Sequence, residues 1–249
     1  MRSGLLSKAK TKIVRGGRRT YIVPFGLYRG LKLELDLRSD VQVLTGLFEL
    51  ETHRYIKKWS DYEWIIDVGA GTGELCLFML KCKPFVRKIF AIEPNNNVVQ
   101  RMKLNFKLNP ELDVTKITIV EGRIGARTAA GELRLDDFEP LLGTAPGIIK
   151  IDVDGCEIDV LNVGYSILRR QNVDVLVETH SVELENDSIK LLQSFGFNTE
   201  VVKSSTKRAT RDNRLIQHLS DFEVGTRRAS CRQGHKRVEP VVIQTVSNE

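Results

Sequence analysis

Cysteine is scarce in this chain of 249 residues and is never paired at metal-ligand spacing: Cys76, Cys82, Cys156 and Cys231 form no C-x-x-C. That pattern favours reduced thiols in a cytosol-like compartment over a disulfide framework or a cysteine zinc site. Long apolar runs are also missing. Nothing approaches the ~18 residues that span a bilayer, and the N-terminus has no apolar secretory segment, so the expectation is a soluble, cytoplasmic protein without a transmembrane span. Acid is absent from the first 33 residues, which hold nine Lys or Arg, whereas the remainder has 29 basic and 32 acidic side chains. The net charge of +6 therefore comes from one end, and the body is not basic. Residues 1–19 read as a basic, disordered tail; a transit peptide, or an arm for nucleic acid or anionic membrane, is the alternative.

With 41% apolar and 28% charged residues, the chain can bury one full core with appendages. A lead-in over 20–60 combines a β-type stretch at 21–37 with a helical stretch at 41–59. The core over 61–203 then alternates strands at 64–68, 88–92, 116–120, 148–153, 173–179 and 198–203 with helices at 73–82, 96–108, 155–168 and 187–195. A polar insert occupies 121–147. This alternation predicts an α/β fold of Rossmann type, a mostly parallel sheet with helices on both faces and a ligand beyond the carboxyl ends of its strands. Asn95 to Asn97 are expected to cap the second helix, and Asp187 or Ser188 the last one. Residues 204–249 are expected to complete the sheet or the acceptor site.

The most informative stretch runs from Trp64 through Ile-Ile-Asp67-Val-Gly69-Ala70-Gly71-Thr-Gly73 to Glu74. A buried-type strand, a tight turn and a helix start make the geometry that cradles a nucleotide. In the dinucleotide fingerprint G-x-G-x-x-G the third glycine would stand at position 74, where this chain has glutamate. Asp67 would also repel a pyrophosphate. S-adenosylmethionine carries an ammonium and a sulfonium and no phosphate, so a carboxylate beside the glycines attracts it. Glu93, followed by Pro94, ends the next strand where it can accept hydrogen bonds from both ribose hydroxyls.

Acids recur at the other strand ends: Glu121, Asp152, Asp154 and Glu178, joined by His180. Asp154 and Glu157 also suit a helix cap and first turn. Asp152 still lies in its strand, so capping does not explain it; a carboxylate there can orient an acceptor, take its proton or hold a cation. His180, with an ordinary pKa near neutrality, is the first candidate for a general base and Asp152 the second. Metal binding by Asp152, Asp154 and Glu178 has no fixed ligand spacing behind it, and no metal ligand is assigned.

IIDVGAGTGE, AIEPN, LRLDDF, KIDVDGCEIDVLNVG, LVETHS and LLQSFGFN, in this order, resemble the FkbM-type S-adenosylmethionine-dependent methyltransferases over about residues 40–203. The specific string is KIDVDGCE; the glycine loop is common to all class I enzymes. Gly46-Leu-Phe-Glu49 resembles the family's lead-in. Departures are Gly71, where the family often has asparagine, Asp154 in place of glutamate, and a short insert before Leu135; residues 204–249 align poorly. The resemblance implies a seven-stranded class I sheet with an antiparallel last strand. It also implies methylation of a hydroxyl on a small molecule or sugar. The expected cofactor contacts are Glu49, Asp67, Gly69, Ala70 and Gly71, then Glu93, Pro94, Gly122, Arg123 and Asp152. An RNA ribose 2′-O methyltransferase and a non-catalytic scaffold that binds the cofactor are the alternatives. The (D/N)-P-P-(F/Y/W) string of amino-group methylation is absent, and neither the acceptor nor the oligomeric state is legible.

Overall fold

A computed structural model of the chain describes residues 17–125, 132–203 and 241–245. Most of the expected tail, nearly all of the segment after 203, and Cys231 lie outside the described residues. Five parallel strands form the centre of the sheet: β3 (Trp64–Val68), β4 (Lys88–Glu93), β5 (Ile117–Glu121), β8 (Gly147–Asp152) and β9 (Val173–Thr179). With β10 (Thr199–Lys203) and β11 (Val241–Thr245), the order across the seven strands is β10-β11-β9-β8-β3-β4-β5. The chain walks outward from β3 to β5 and returns to β8 on the other side of β3. That reversal opens a crevice between the carboxyl ends of β3 and β8. The last strand departs from the expected antiparallel course, since β11 runs parallel to both β9 and β10. Residues 204–240 separate it from β10, well beyond the dozen or so residues a parallel crossover needs.

Strands β3, β4 and β8 are buried on both faces, which is why they read as largely apolar runs, whereas the edge strand β5 is only partly covered. Ile66, Val68, Ile92, Ile149, Ile151 and Val177 pack into one core with Leu135, Phe138 and Leu161. Gly147 lies under the Trp64 indole, where a Cβ would stand 2.0 Å from the ring. Ile65, Ala91, Ile148 and Leu176 face the other core, shared with Leu75, Leu77 and Met79 of helix α3 (Glu74–Cys82).

The lead-in covers this second core. Strands β1 (Arg19–Ile22) and β2 (Lys32–Leu35) form an antiparallel hairpin, and helices α1 (Val41–Thr45) and α2 (His53–Ile56) follow. Tyr28, Leu31, Leu33, Leu35 and Ile56 bury their side chains against the α3 side of the sheet. Helix α4 (Asn96–Leu108) starts as expected, with the Asn95 side chain accepting from the Asn97 N–H at 3.0 Å. Its Asn105 and Asn109, one turn apart, fasten β2: Asn105 Oδ1 accepts from Glu34 N, and Asn109 bonds both N–H and C=O of Lys32.

Two helices depart from the sequence reading. The expected helix 155–168 is two short ones, α5 (Glu157–Asn162) and α6 (Tyr165–Leu168), because Gly164 lets Leu135 close in against the chain where a side chain would stand. Asp154 makes no cap hydrogen bond, and its carboxylate is fully exposed. The last helix, α7 (Val182–Ser194), starts five residues early. Ser181 caps it by accepting from Leu184 N at 3.2 Å, while Ser188, expected as a cap, is buried inside it. The polar insert holds β6 (Arg123–Ile124), β7 (Glu132–Leu133) and a 3-10 turn at Leu135–Leu141.

Candidate active site

The glycine loop is forced by its surroundings. Gly69 has φ +82°, and a Cβ there would lie 1.8 Å from the Asp152 carbonyl oxygen, so only glycine lets β3 turn against the end of β8. The N–H groups of Gly69 and Ala70 both reach the Ile92 carbonyl, at 2.9 and 3.0 Å. Glu93 then locks the loop to β4: Oε2 accepts from Gly71 N at 3.2 Å and Oε1 from Asn95 N at 2.9 Å. Each oxygen keeps a second lone pair for a ligand hydroxyl.

Beside Glu93 lies a cavity of about 190 Å³. Six of the expected cofactor residues line it: Gly69, Glu93, Pro94, Gly122, Arg123 and Asp152. Val68, Ile92 and Ile124 add apolar wall. Ala70, Gly71, Asp67 and Glu49 are not among the lining residues. Ala70 and Gly71 belong to the loop that frames the cavity, whereas Asp67 and Glu49 join a second group of charges.

Strand register explains that second group. Asp67 opposes Lys150, and Asp152 opposes Glu178, so all four side chains share the face that looks toward α3 and the lead-in. Lys150 is buried, and its ammonium holds Asp152 Oδ2 at 2.8 Å. Burial works against that ammonium, yet Asp152, Glu49, Asp67 and Glu178 outweigh it and keep the lysine pKa well above its ordinary value. One cation thus serves four carboxylates. Burial pushes Asp67 up to about 6, with Lys150 and the Cys76 thiol, 3.5 Å from Oδ2, pulling the other way. Glu49 and Glu178 are also raised, by burial first, then for Glu49 by Asp152 against the pull of Lys150, and for Glu178 by Asp152 and Glu49. Glu49 carries a further mark, a left-handed backbone at φ +47° that a non-glycine residue adopts at a cost.

His180 closes the group. Its Nδ1 lies 2.7 Å from Oε1 of the fully buried Glu157, and its Nε2 lies 3.5 Å from Asp154. The Glu157 hydrogen bond raises the imidazole pKa, burial opposes it, and the charges of Glu157, Asp152 and Glu178 add to the rise. Asp152, Glu178 and His180 each present a ligand atom within 4.8 Å of the other two.

No protein-family model matches the sequence. Over 199 residues the chain is 26% identical to the hexuronic acid methyltransferase AglP of Haloferax volcanii, covering 68% of this chain and 74% of that protein. The chain is similar to methyltransferases. Among solved structures, a methyltransferase FkbM from Methylobacillus flagellatus matches at 18% identity, over 63% of this chain and 49% of that one, with a TM-score of 0.47. A precorrin-6y C5,15-methyltransferase from Geobacter metallireducens matches at 18% identity, over 59% and 70%, with a TM-score of 0.42. The sheet is mostly parallel and Rossmann-like, with its strand order reversing between β3 and β8.

Lys150 and Glu157 were not assigned to the site from sequence, whereas Glu178 stood out only as a strand-end acid. A signal for Lys150 was there: a lysine between Ile149 and Ile151 of an apolar strand must find carboxylates. Glu157 reads as an ordinary first-turn acid until the fold brings His180 to it.

Proposed function

We propose that this protein is an S-adenosylmethionine-dependent methyltransferase of the FkbM type, acting on a hydroxyl of a sugar, with a uronic-acid-bearing glycan as the first acceptor to test. The observation that carries the reading is Glu93, fixed by Gly71 and Asn95 N–H groups at the mouth of the cavity with its remaining lone pairs free. A ribose diol fits that pair of oxygens, and the absence of a phosphate suits a crevice whose neighbouring charges are mainly carboxylates. The AglP likeness supports the acceptor class.

The cofactor supplies an activated methyl carbon when bound. Glu93 would hold its sugar, the glycine loop would bring backbone close to it, and the carboxylates of Glu49 and Asp67 would attract its positive charge. Asp152, Glu178 and His180 then face the acceptor. The bound donor would supply a methyl carbon open to in-line displacement by the acceptor hydroxyl, with the sulfur as leaving group, and Asp152, Glu178 and His180 would take up the proton the hydroxyl releases. Positioning at near-attack distance contributes up to about 7–11 kcal/mol in favourable systems. Glu157 raises the His180 pKa by favouring its protonated form.

Calorimetry with S-adenosylmethionine on the full chain tests the donor, and transfer of labelled methyl to uronic-acid oligosaccharides tests the acceptor. Micromolar binding that Glu93→Ala weakens by about 10–100-fold, the value of one or two charge-assisted hydrogen bonds, is expected. Absence of binding overturns the reading.

A further inference from the structure

The sequence reading assigned no metal ligand, and spacing alone offered none. The fold brings together what the spacing hid. Asp152 and Glu178 stand directly opposite each other in register, at the ends of β8 and β9, where two like charges repel. Lys150 occupies Asp152 Oδ2 and leaves Oδ1 to another partner. Glu178 Oε2 is buried without a hydrogen-bond partner, an arrangement that costs free energy unless something positive meets it. His180 adds a nitrogen, and here the geometry is specific. Its Nδ1 is taken by the fully buried Glu157, the carboxylate–histidine pairing that accompanies a metal-ligating imidazole, and this fixes the ring with Nε2 on the opposite side, where its neighbour is the exposed Asp154 carboxylate at 3.5 Å.

We propose that Asp152, Glu178 and His180 bind a divalent cation of the Mg²⁺/Mn²⁺ class. Two carboxylates and one imidazole suit Mn²⁺, which accepts both oxygen and nitrogen donors, better than Ca²⁺, which takes oxygen alone. The three ligand atoms lie within 4.8 Å of one another, and a trans pair on a cation of this size spans about 4.2 Å. Small side-chain rotations close that gap. Three ligands leave coordination positions for water or for oxygens of a second molecule. On the methyltransferase reading, which this step rests on for its role, those positions take the acceptor's hydroxyl and, on a uronic acid, its carboxylate. The cation answers a difficulty in that reading, since an anionic sugar otherwise meets an excess of carboxylates over the single Lys150. His180 then acts as a ligand rather than as a free base.

The test titrates the full chain, stripped with EDTA, with MnCl₂ alone, following free Mn²⁺ by electron paramagnetic resonance. One site is expected, with ¹⁴N modulation from the imidazole in the echo envelope. Glu178→Gln and His180→Ala should each weaken binding at least tenfold, and His180→Ala should abolish the nitrogen signal. Glu157→Gln, which touches only the outer face of His180, should weaken it by about 10–100-fold, whereas the exposed Asp187→Asn should not change it. Circular dichroism and S-adenosylmethionine calorimetry on each variant establish that it is folded. No Mn²⁺ binding, or binding that Glu178→Gln and folded His180→Ala leave intact, overturns the proposal. Donor binding without Mn²⁺ binding removes the metal site alone; Mn²⁺ binding without donor binding removes the methyltransferase reading and leaves the site standing.

Discussion

Asn105 of α4 accepts the Glu34 N–H at 2.8 Å and donates to the Thr72 carbonyl at 2.9 Å, so one fully buried amide ties the lead-in hairpin to the glycine loop. Both partners are backbone groups. Asn105→Leu keeps the volume and orphans both, at about 1–3 kcal/mol each, for an expected loss of about 2–5 kcal/mol in urea unfolding. Asn105→Asp retains the acceptor for Glu34 but sets an oxygen against Thr72, so its loss should concentrate at the loop. Amide exchange at residues 71–74 faster than in the parent checks that; uniform acceleration across the chain would show a merely global effect.

The glycine loop itself makes a sharper contrast. Gly69→Ala combines left-handed strain with a methyl against the Asp152 carbonyl, and roughly 3–5 kcal/mol of stability should go. Gly143 also has a positive φ, +61°, but a Cβ there meets nothing within 4 Å. Gly143→Ala should therefore cost only about 1–2 kcal/mol, the strain alone. Equal losses at the two sites would mean that the approach of β3 to β8 is less rigid than the structure has it.

What could be read beforehand follows from where the physics is local. The run from Trp64 to Val68 and the glycines after it carry their own turn geometry, and Glu93 follows as the tip of the next strand; these were legible. The α7 start was not, because Glu183 and Glu185 mask its apolar face and the decisive cap, Ser181, directly follows a strand-end residue of apparent functional interest. The parallel course of β11 shows only in its pairing with β9 and β10, since nothing in a strand's own residues sets its direction. The charge group was half legible: Asp152 stood out as an acid still within a strand, but its pairing with Glu178, Lys150 and His180 exists only once the strands are in register.

Asp67 makes folding depend on pH in a definite direction. Its carboxyl is ordinarily near 3.8 and lies at about 6 in the folded chain. Below 3.8 it is protonated in both states and its contribution is fully present. Between the two values only the unfolded chain gives up the proton, so stability falls as pH rises, by on the order of 3 kcal/mol once pH exceeds the folded value. Asp67→Asn removes the titration while Lys150 keeps Asp152. The variant should match the parent near pH 4 and be the more stable of the two at pH 8. Urea midpoints at several pH values would show it, and a pH-independent difference would sink the account.

Glu157 and His180 make stability fall with rising pH as well, but through a favourable ion pair rather than a buried charge. The buried carboxylate holds Nδ1 at 2.7 Å and raises the imidazole pKa above 6.5 in the folded, metal-free chain. A raised histidine contributes stability that is fully present below 6.5 and is lost as pH climbs through the folded value. Glu157→Gln keeps a hydrogen-bonding side chain of the same shape but removes the negative charge, so the His180 titration should move down toward the ordinary histidine range. Proton–carbon NMR of the imidazole in EDTA-treated protein reads that shift directly. The parent's stability advantage over the variant should then be largest near pH 6 and shrink by pH 8. A His180 titration that stays in place in Glu157→Gln would mean that Asp152 and Glu178, rather than Glu157, govern the ring.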